Sequence, residues 1–278
     1  LIVVATPNID RWLDLDLDAE ARKVGKLTGC KPRTSSLGAE RPILEDKYAD
    51  EVIPYEKLPE IISQKDFEAS WLAEMITRIF DQDGEGACVS DAIMGCHEVV
   101  QCKEVGPARV VHMSAMSVYH WVARSAQSGS NLDENLDQIK TVGALPLDNA
   151  ENKLVYKHYH PNIGFNTKFM DEWEETAGLF KDLEDLDIRG PEGFWTAVCK
   201  GWPVMFARDG HCIFCPKLIW SVPKKQLIIP YCNSWHISWG DRVNEILEGG
   251  MGYDSYGKMQ NYANGSIAFR QVKTPVAA

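Results

Sequence analysis

The chain has 278 residues, 45% hydrophobic and 25% charged, with a formal net charge of −11. That length can bury a large core, in one two-lobed domain or two small ones. The acidic excess argues against a nucleic-acid backbone as the main partner, and no apolar run is long enough to cross a bilayer.

Leu1 to Val4 is apolar but gives way to Thr6-Pro7-Asn8, too short for the core of a signal peptide. Residues 1–56 read as an extension: an acidic segment, Asp10 to Glu20, then Lys31 to Pro42, rich in turn formers and without a sustained period, as in an arm or linker. From Leu58 the chain becomes denser in apolar residues. Ala92, Ile93, Cys96 and Val99/Val100 recur at helical spacing and predict a helix from Cys88. A second helix is expected over Ser114–Ala126. A third, capped by Ser130 or Asn131, runs through Ile139, and an acidic amphipathic helix is expected over Glu172–Leu186. A short helix after Gly190-Pro191 carries Phe194, Trp195 and Val198. Pro203–Ala207, His211–Trp220 and Gln226–Cys232 then read as strands, separated by Asp209-Gly210 and Pro223-Lys224-Lys225. Helices followed by strands predict an α+β fold.

The eight cysteines follow no regular disulfide spacing, which suits a reducing, cytoplasmic setting with most thiols buried as small hydrophobes. In Cys212-Ile213-Phe214-Cys215 the intervening residues are apolar and fit a buried strand better than a zinc knuckle. No metal or other cofactor is expected. His158 and His160, flanking Tyr159, read as an exposed or strand-borne pair.

Cysteine catalysis needs a thiolate, a histidine to take its proton, a group to orient the imidazole, and donors for the oxyanion. Small residues before Cys88 allow a tight turn, and the helix after it puts the sulfur at a positive helix end. Gln82 lies six residues upstream, near enough to turn its amide back to the same point.

Asp81-Gln82-Asp83-Gly84-Glu85-Gly86-Ala87-Cys88 resembles the nucleophile segment of the papain-like cysteine peptidases. Asp209-Gly210-His211 is similar to their histidine segment, and Asn233-Ser234-Trp235-His236-Ile237-Ser238-Trp239-Gly240 to their asparagine motif, with His236 where the family has glycine. His211 and Asn233 lie 123 and 145 residues after Cys88, against about 130–150 for such enzymes. The resemblance spans Leu58 to Gly240. It implies a two-lobed fold, helical on the left and antiparallel β on the right, formed by residues 57–278, with the cleft between the lobes. It implies Cys88 as nucleophile, His211 as its base, Asn233 orienting the imidazole under Trp235, and Gln82 with the Cys88 N–H as oxyanion hole. Trp239 would line the leaving-group side, and Gly129 and Ser130 would pair with substrate backbone. The implied function is endopeptidase action on protein or peptide substrates. Two alternatives stand beside it. One is an inactive papain-fold component of a larger assembly such as a phage particle, with residues 1–56 making assembly contacts. The other is a cell-wall amidase or endopeptidase, against which the Gln82 spacing and the Asn-Ser-Trp string argue.

Overall fold

A computed structural model describes residues 9–63, 72–147, 174–244 and 247–273. The helical lobe is organised by the helix Cys88–Val105. It is buried on every side from Cys88 to Cys102, as expected of a helix in the centre of a core rather than on its surface. Ala115–Val122 forms the next helix, with Ser114 as its N-cap accepting from Ser117 N. It ends four residues before the expected Ala126, where Ala123 turns extended. Asn131 caps the helix Leu132–Thr141 by accepting from Glu134 N at 2.8 Å.

The second lobe is a sheet of eight strands: β3 (Asp182–Asp187), β4 (Val204–Arg208), β5 (His211–Cys215), β6 (Ile219–Ser221), β7 (Gln226–Cys232), β8 (Asp241–Arg242), β9 (Gly250–Ser255) and β10 (Ile267–Val272). Their order is β3-β10-β4-β5-β7-β9-β8, with β6 paired to β7, and every pairing is antiparallel. Asp209 (φ 52°) and Gly210 (φ 70°) make the expected two-residue turn between β4 and β5, both in the left-handed region that such a hairpin requires. The strand expected over His211–Trp220 is two strands, because Pro216 supplies no N–H and breaks the ladder. All five residues of β5 are buried, Cys212 and Cys215 among them, and the helix Cys88–Val105 lies across it.

The acidic helix expected over Glu172–Leu186 is not formed. Its first residues lie outside those described, a single helical turn spans Glu174–Ala177, and the chain then enters β3. The reason is tertiary. Arg41 Nε reaches Asp185 Oδ2 at 2.7 Å and Arg33 Nη1 reaches Asp187 Oδ1 at 3.0 Å, so carboxylates that would face solvent on a helix are drawn into the protein.

Both arginines belong to the N-terminal extension, which packs against its own chain. Leu17, Ala21 and Leu44 are buried in the main core. Arg41 also meets Asp133 at 3.0 Å, and Asp133 Oδ2 accepts from Thr34 N and Ser35 N at 2.9 and 3.0 Å. Gly38 N donates to Asp187 Oδ2 at 2.8 Å. The turn-rich stretch that reads as an arm is thus held by side-chain carboxylates rather than by a regular ladder. His158 and His160 lie outside the described residues.

Candidate active site

Cys88 begins the central helix, where the first backbone N–H groups of any helix lack partners within it. His211 begins β5 and Asn233 directly follows β7. Pairing of Phe214 with Cys232 fixes the register between these strands. His211 and Asn233 consequently meet through Nε2 and Oδ1 at 2.7 Å. Asn233 Oδ1 can only accept, so the shared hydrogen sits on Nε2 and Nδ1 carries the lone pair. Nδ1 has no hydrogen-bond partner among the described residues, Cys88 included. The Trp235 ring stacks on the imidazole, with centroids 4.7 Å apart and planes 28° from parallel, and Trp239 stands edge-on to Trp235 at 5.3 Å. His236 adopts φ 76°, the left-handed conformation natural to a glycine, and the segment keeps its turn with Nδ1 of His236 bonded to Ser238 Oγ at 3.0 Å.

Gln82 is buried and held from both ends. Its N–H donates to Ser234 O at 3.0 Å, and its Oε1 accepts from Ser234 Oγ at 2.8 Å. With the oxygen so engaged, Nε2 turns the other way, donating to Glu85 O at 2.5 Å and Leu27 O at 2.9 Å. The structure joins His211, Asn233, Trp235 and Trp239 by contact, ties Gln82 to Ser234 beside Asn233, and sets Cys88 against the backbone of Cys212, the residue after His211.

Gly129 and Ser130 form one wall. Gly129 N donates to Tyr119 Oη at 3.2 Å, and the same hydroxyl donates to Ala126 O at 2.9 Å. Against this wall runs the chain's own N-terminal segment. Cys30–Lys31, strand β1, pairs in parallel with Ser130–Asn131, strand β2. Ser130 N donates to Gly29 O and Cys30 N to Gly210 O, each at 2.9 Å. Three glycines interlock here. A Cβ on Gly29 would lie 2.4 Å from Gly86 O, one on Gly86 2.7 Å from Gly129 N, and one on Gly129 2.2 Å from Gly29 O. Farther along, Trp12 packs on Trp239 with centroids 5.2 Å apart.

The segment seals the site. Cys88 and His211 have no exposed surface. Burial pushes the Cys88 thiol well up from its ordinary range, against the lowering effect of hydrogen bonds from the Cys212 and Gly29 backbones. Burial likewise lowers His211 to about 4, outweighing the Asn233 bond that raises it. The sealed pair is a neutral thiol and a neutral imidazole, the reverse of the ion pair expected for an open site. Leu27, Gly29, Cys30 and Ser234 are participants that the sequence reading missed; the one trace of the first three is a glycine inside an otherwise polar segment.

No protein-family model matches the chain, and no curated protein matches it in sequence. Solved structures are similar in fold. Procathepsin L2 proteinase from Tenebrio molitor larval midgut superposes with a TM-score of 0.63 at 13% identity, covering 89% of this chain and 79% of that one. Procathepsin B S9 from Trypanosoma congolense gives 0.58 at 13% identity, covering 92% and 88%. Xylellain, a cysteine protease from Xylella fastidiosa, gives 0.56 at 13%, covering 89% and 96%. The chain has the two-lobed α+β fold of the papain-like cysteine proteases.

Proposed function

We propose that the chain is a cysteine endopeptidase built on Cys88, His211, Asn233 and Gln82, held closed by residues 27–31 of its own extension. The observation that carries this reading is the constellation itself. The imidazole is oriented by Asn233 at 2.7 Å beneath Trp235, and the Gln82 amide donates to a backbone carbonyl beside the helix end that bears Cys88. Leu27 O occupies the position on Gln82 that a substrate's oxyanion would take.

With the segment displaced, the Cys88 proton passes to His211 Nδ1 while Asn233 keeps Nε2–H engaged. The sulfur attacks a peptide carbonyl carbon, and Gln82 Nε2 with the Cys88 N–H holds the oxyanion. Collapse to the thioester expels the amine, which leaves with the proton from Nδ1. Water, deprotonated by His211, then attacks the thioester and releases the carboxylic acid and the thiol. The geometry requires only a peptide backbone. Protein and peptide substrates fit this reading, and Gly129 and Ser130 would pair with substrate where β1 now lies.

The second reading is an inactive papain-fold component of an assembly, favoured by the complete burial of Cys88 and His211. The described part of the extension packs on its own core, which favours closure over an outward assembly arm. The test is hydrolysis of an unfolded protein by the full chain carrying Gly29→Val, which opens the site. Cleavage is expected, absent when Cys88→Ala is added, with turnover reduced roughly 10²–10³-fold by Gln82→Ala. Cleavage surviving Cys88→Ala, or none from the opened chain, would favour the second reading.

A further inference from the structure

The stretch that enters the site carries the cations Arg22, Lys23 and Lys26, and the fold treats the last of them differently. The side chains of Arg22 and Lys23 are 68% and 74% exposed, whereas that of Lys26 is 16% exposed. A lysine gives up hydration and rotamer freedom at a cost unless an opposite charge meets it. Lys26 Nζ meets Asp81 Oδ1 at 2.5 Å. One residue on, Leu27 offers the site only its backbone: its O accepts from Gln82 Nε2 at 2.9 Å, and the residue stays 36% exposed. Cys30 and Lys31 then pair with Ser130 and Asn131. Each position of the crossing segment thus shows what the cleft accepts: a cation at Asp81, a carbonyl oxygen at Gln82, an extended backbone along Ser130.

Asp81 is fixed by its own surroundings rather than by the lysine. Phe80 to Gln82 lie along the segment after Asn233: Asp81 forms an antiparallel bridge with Trp235, Gln82 N donates to Ser234 O at 3.0 Å, and His236 N donates to Phe80 O at 3.3 Å. Asp83, at φ 43°, turns the chain so that its N–H donates to Asp81 Oδ1 at 3.0 Å and aims the carboxylate. We propose that Asp81 is a specificity-determining residue, selecting substrates with lysine or arginine as the first residue after the scissile bond. Lys26 is the chain's own stand-in for that residue. The side follows from the order of contacts. Cys30 and Lys31 lie against Ser130 and Asn131, while Lys26 lies beyond Leu27 in the other direction, where Asp81 bridges Trp235 and Trp239 stands edge-on to it. Under the peptidase reading, on which this selection rests, Trp239 borders the leaving group. A basic side chain there would meet Asp81 while the preceding carbonyl meets Gln82. A glutamate there would face a like charge one residue from the oxyanion donor. The net charge of −11 also favours the approach of basic peptides.

The opened Gly29→Val chain tests this on an unfolded protein, with cut sites mapped by mass spectrometry. Cuts should fall mainly before lysine and arginine. In peptides built on a preferred site, lysine in place of glutamine should raise kcat/KM about tenfold, the lower end for a charge-assisted bond because the Asp81 side chain is 31% exposed. Asp81→Asn, which keeps an oxygen for the Asp83 N–H, should lose that preference, and Asp81→Lys should reverse it toward glutamate. Cuts indifferent to charge, a preference for lysine before the bond, or a preference that survives Asp81→Asn would overturn the proposal. If the opened chain cleaves nothing, the peptidase reading falls and the selection is read as binding. By fluorescence anisotropy, the Gly29→Val chain should hold an alanine-rich peptide with one lysine about tenfold more tightly than its glutamine counterpart, and the difference should vanish in Asp81→Asn. Equal binding of the two peptides, or binding of neither, would reject it. Asp81→Asn, a near-isosteric change, keeps the test open should Asp81→Lys fail to fold.

Discussion

Replacing Gly29 by valine should open the sealed site without unfolding the chain. The first added carbon alone would lie 2.4 Å from Gly86 O and 2.6 Å from Gly86 Cα, both backbone. Gly86 cannot retreat, because its N–H is bonded to Ala126 O at 2.8 Å and its other side meets Gly129. The segment must therefore move, by about 1 Å or more to restore ordinary contact. What resists is the Gly29 O, Cys30 N and Leu27 O hydrogen bonds, each 2.9 Å long and each contributing about 1 kcal/mol net. Overpacking of this kind costs about 1–3 kcal/mol. Taking about 2 kcal/mol, the opened form should become roughly thirtyfold more populated. Limited alkylation of the reduced full chain, with the modified cysteine mapped by mass spectrometry, reads this directly. Cys88 should label about thirtyfold faster in Gly29→Val, while the buried Cys96 and Cys199 keep their slow rates and serve as internal references. An unchanged Cys88 rate would refute the interlocking-glycine argument. A rise shared by all buried thiols would mean that the chain had unfolded instead.

Two further expectations concern pH and packing. His211 is held to about 4 in the sealed state against an ordinary 6.5, so the sealed form binds fewer protons than any opened or unfolded form between those values. Its contribution is fully present above pH 6.5 and is lost as pH falls toward 4, on the order of 3 kcal/mol in total. Labelling of Cys88 by a dipyridyl disulfide, which reacts in acid, should accelerate over that window in the unmodified chain and much less in His211→Phe. A flat profile would mean that the imidazole is accessible in the sealed form. Separately, Gly95→Ala would put a methyl 2.3 Å from Phe214 Cε1 between the central helix and β5. It should lower urea stability by about 1–3 kcal/mol without changing Cys88 labelling under native conditions.

Much of the fold was readable because the elements around the site obey local rules. Asp209-Gly210 reads as a turn between strands and forms one, and of Ser130 and Asn131, the two candidate caps, Asn131 is the one that caps. The residues of the proposed site lie in three motif segments whose local structure was legible: the Gln82 turn before a helix, a turn before His211, a strand before Asn233. The failures share another cause. β3 is acidic and patterned like a surface helix, and it is cations from distant parts of the chain, Arg33, Arg41 and Lys140, that make buried Asp185 and Asp187 tolerable in a strand. Lys31–Pro42 shows no period because its backbone is satisfied by Asp133 and Asp187 side chains, which leave no mark on local sequence.

The covering segment is tethered on both sides. Before it, Leu17 and Ala21 are sunk in the core; after it, Arg33 and Arg41 are tied to Asp133, Asp185 and Asp187. A stretch pinned at both ends competes with substrate at an effective concentration in about the millimolar range, and it can leave only by bulging. A single backbone cut between Gly25 and Gly29 would change that arithmetic without removing a residue. Each new end would keep its own anchor, yet neither would be forced back across Cys88. Nicking rather than shedding would suffice, and the nicked chain would still migrate as one folded particle, separating only under denaturing conditions.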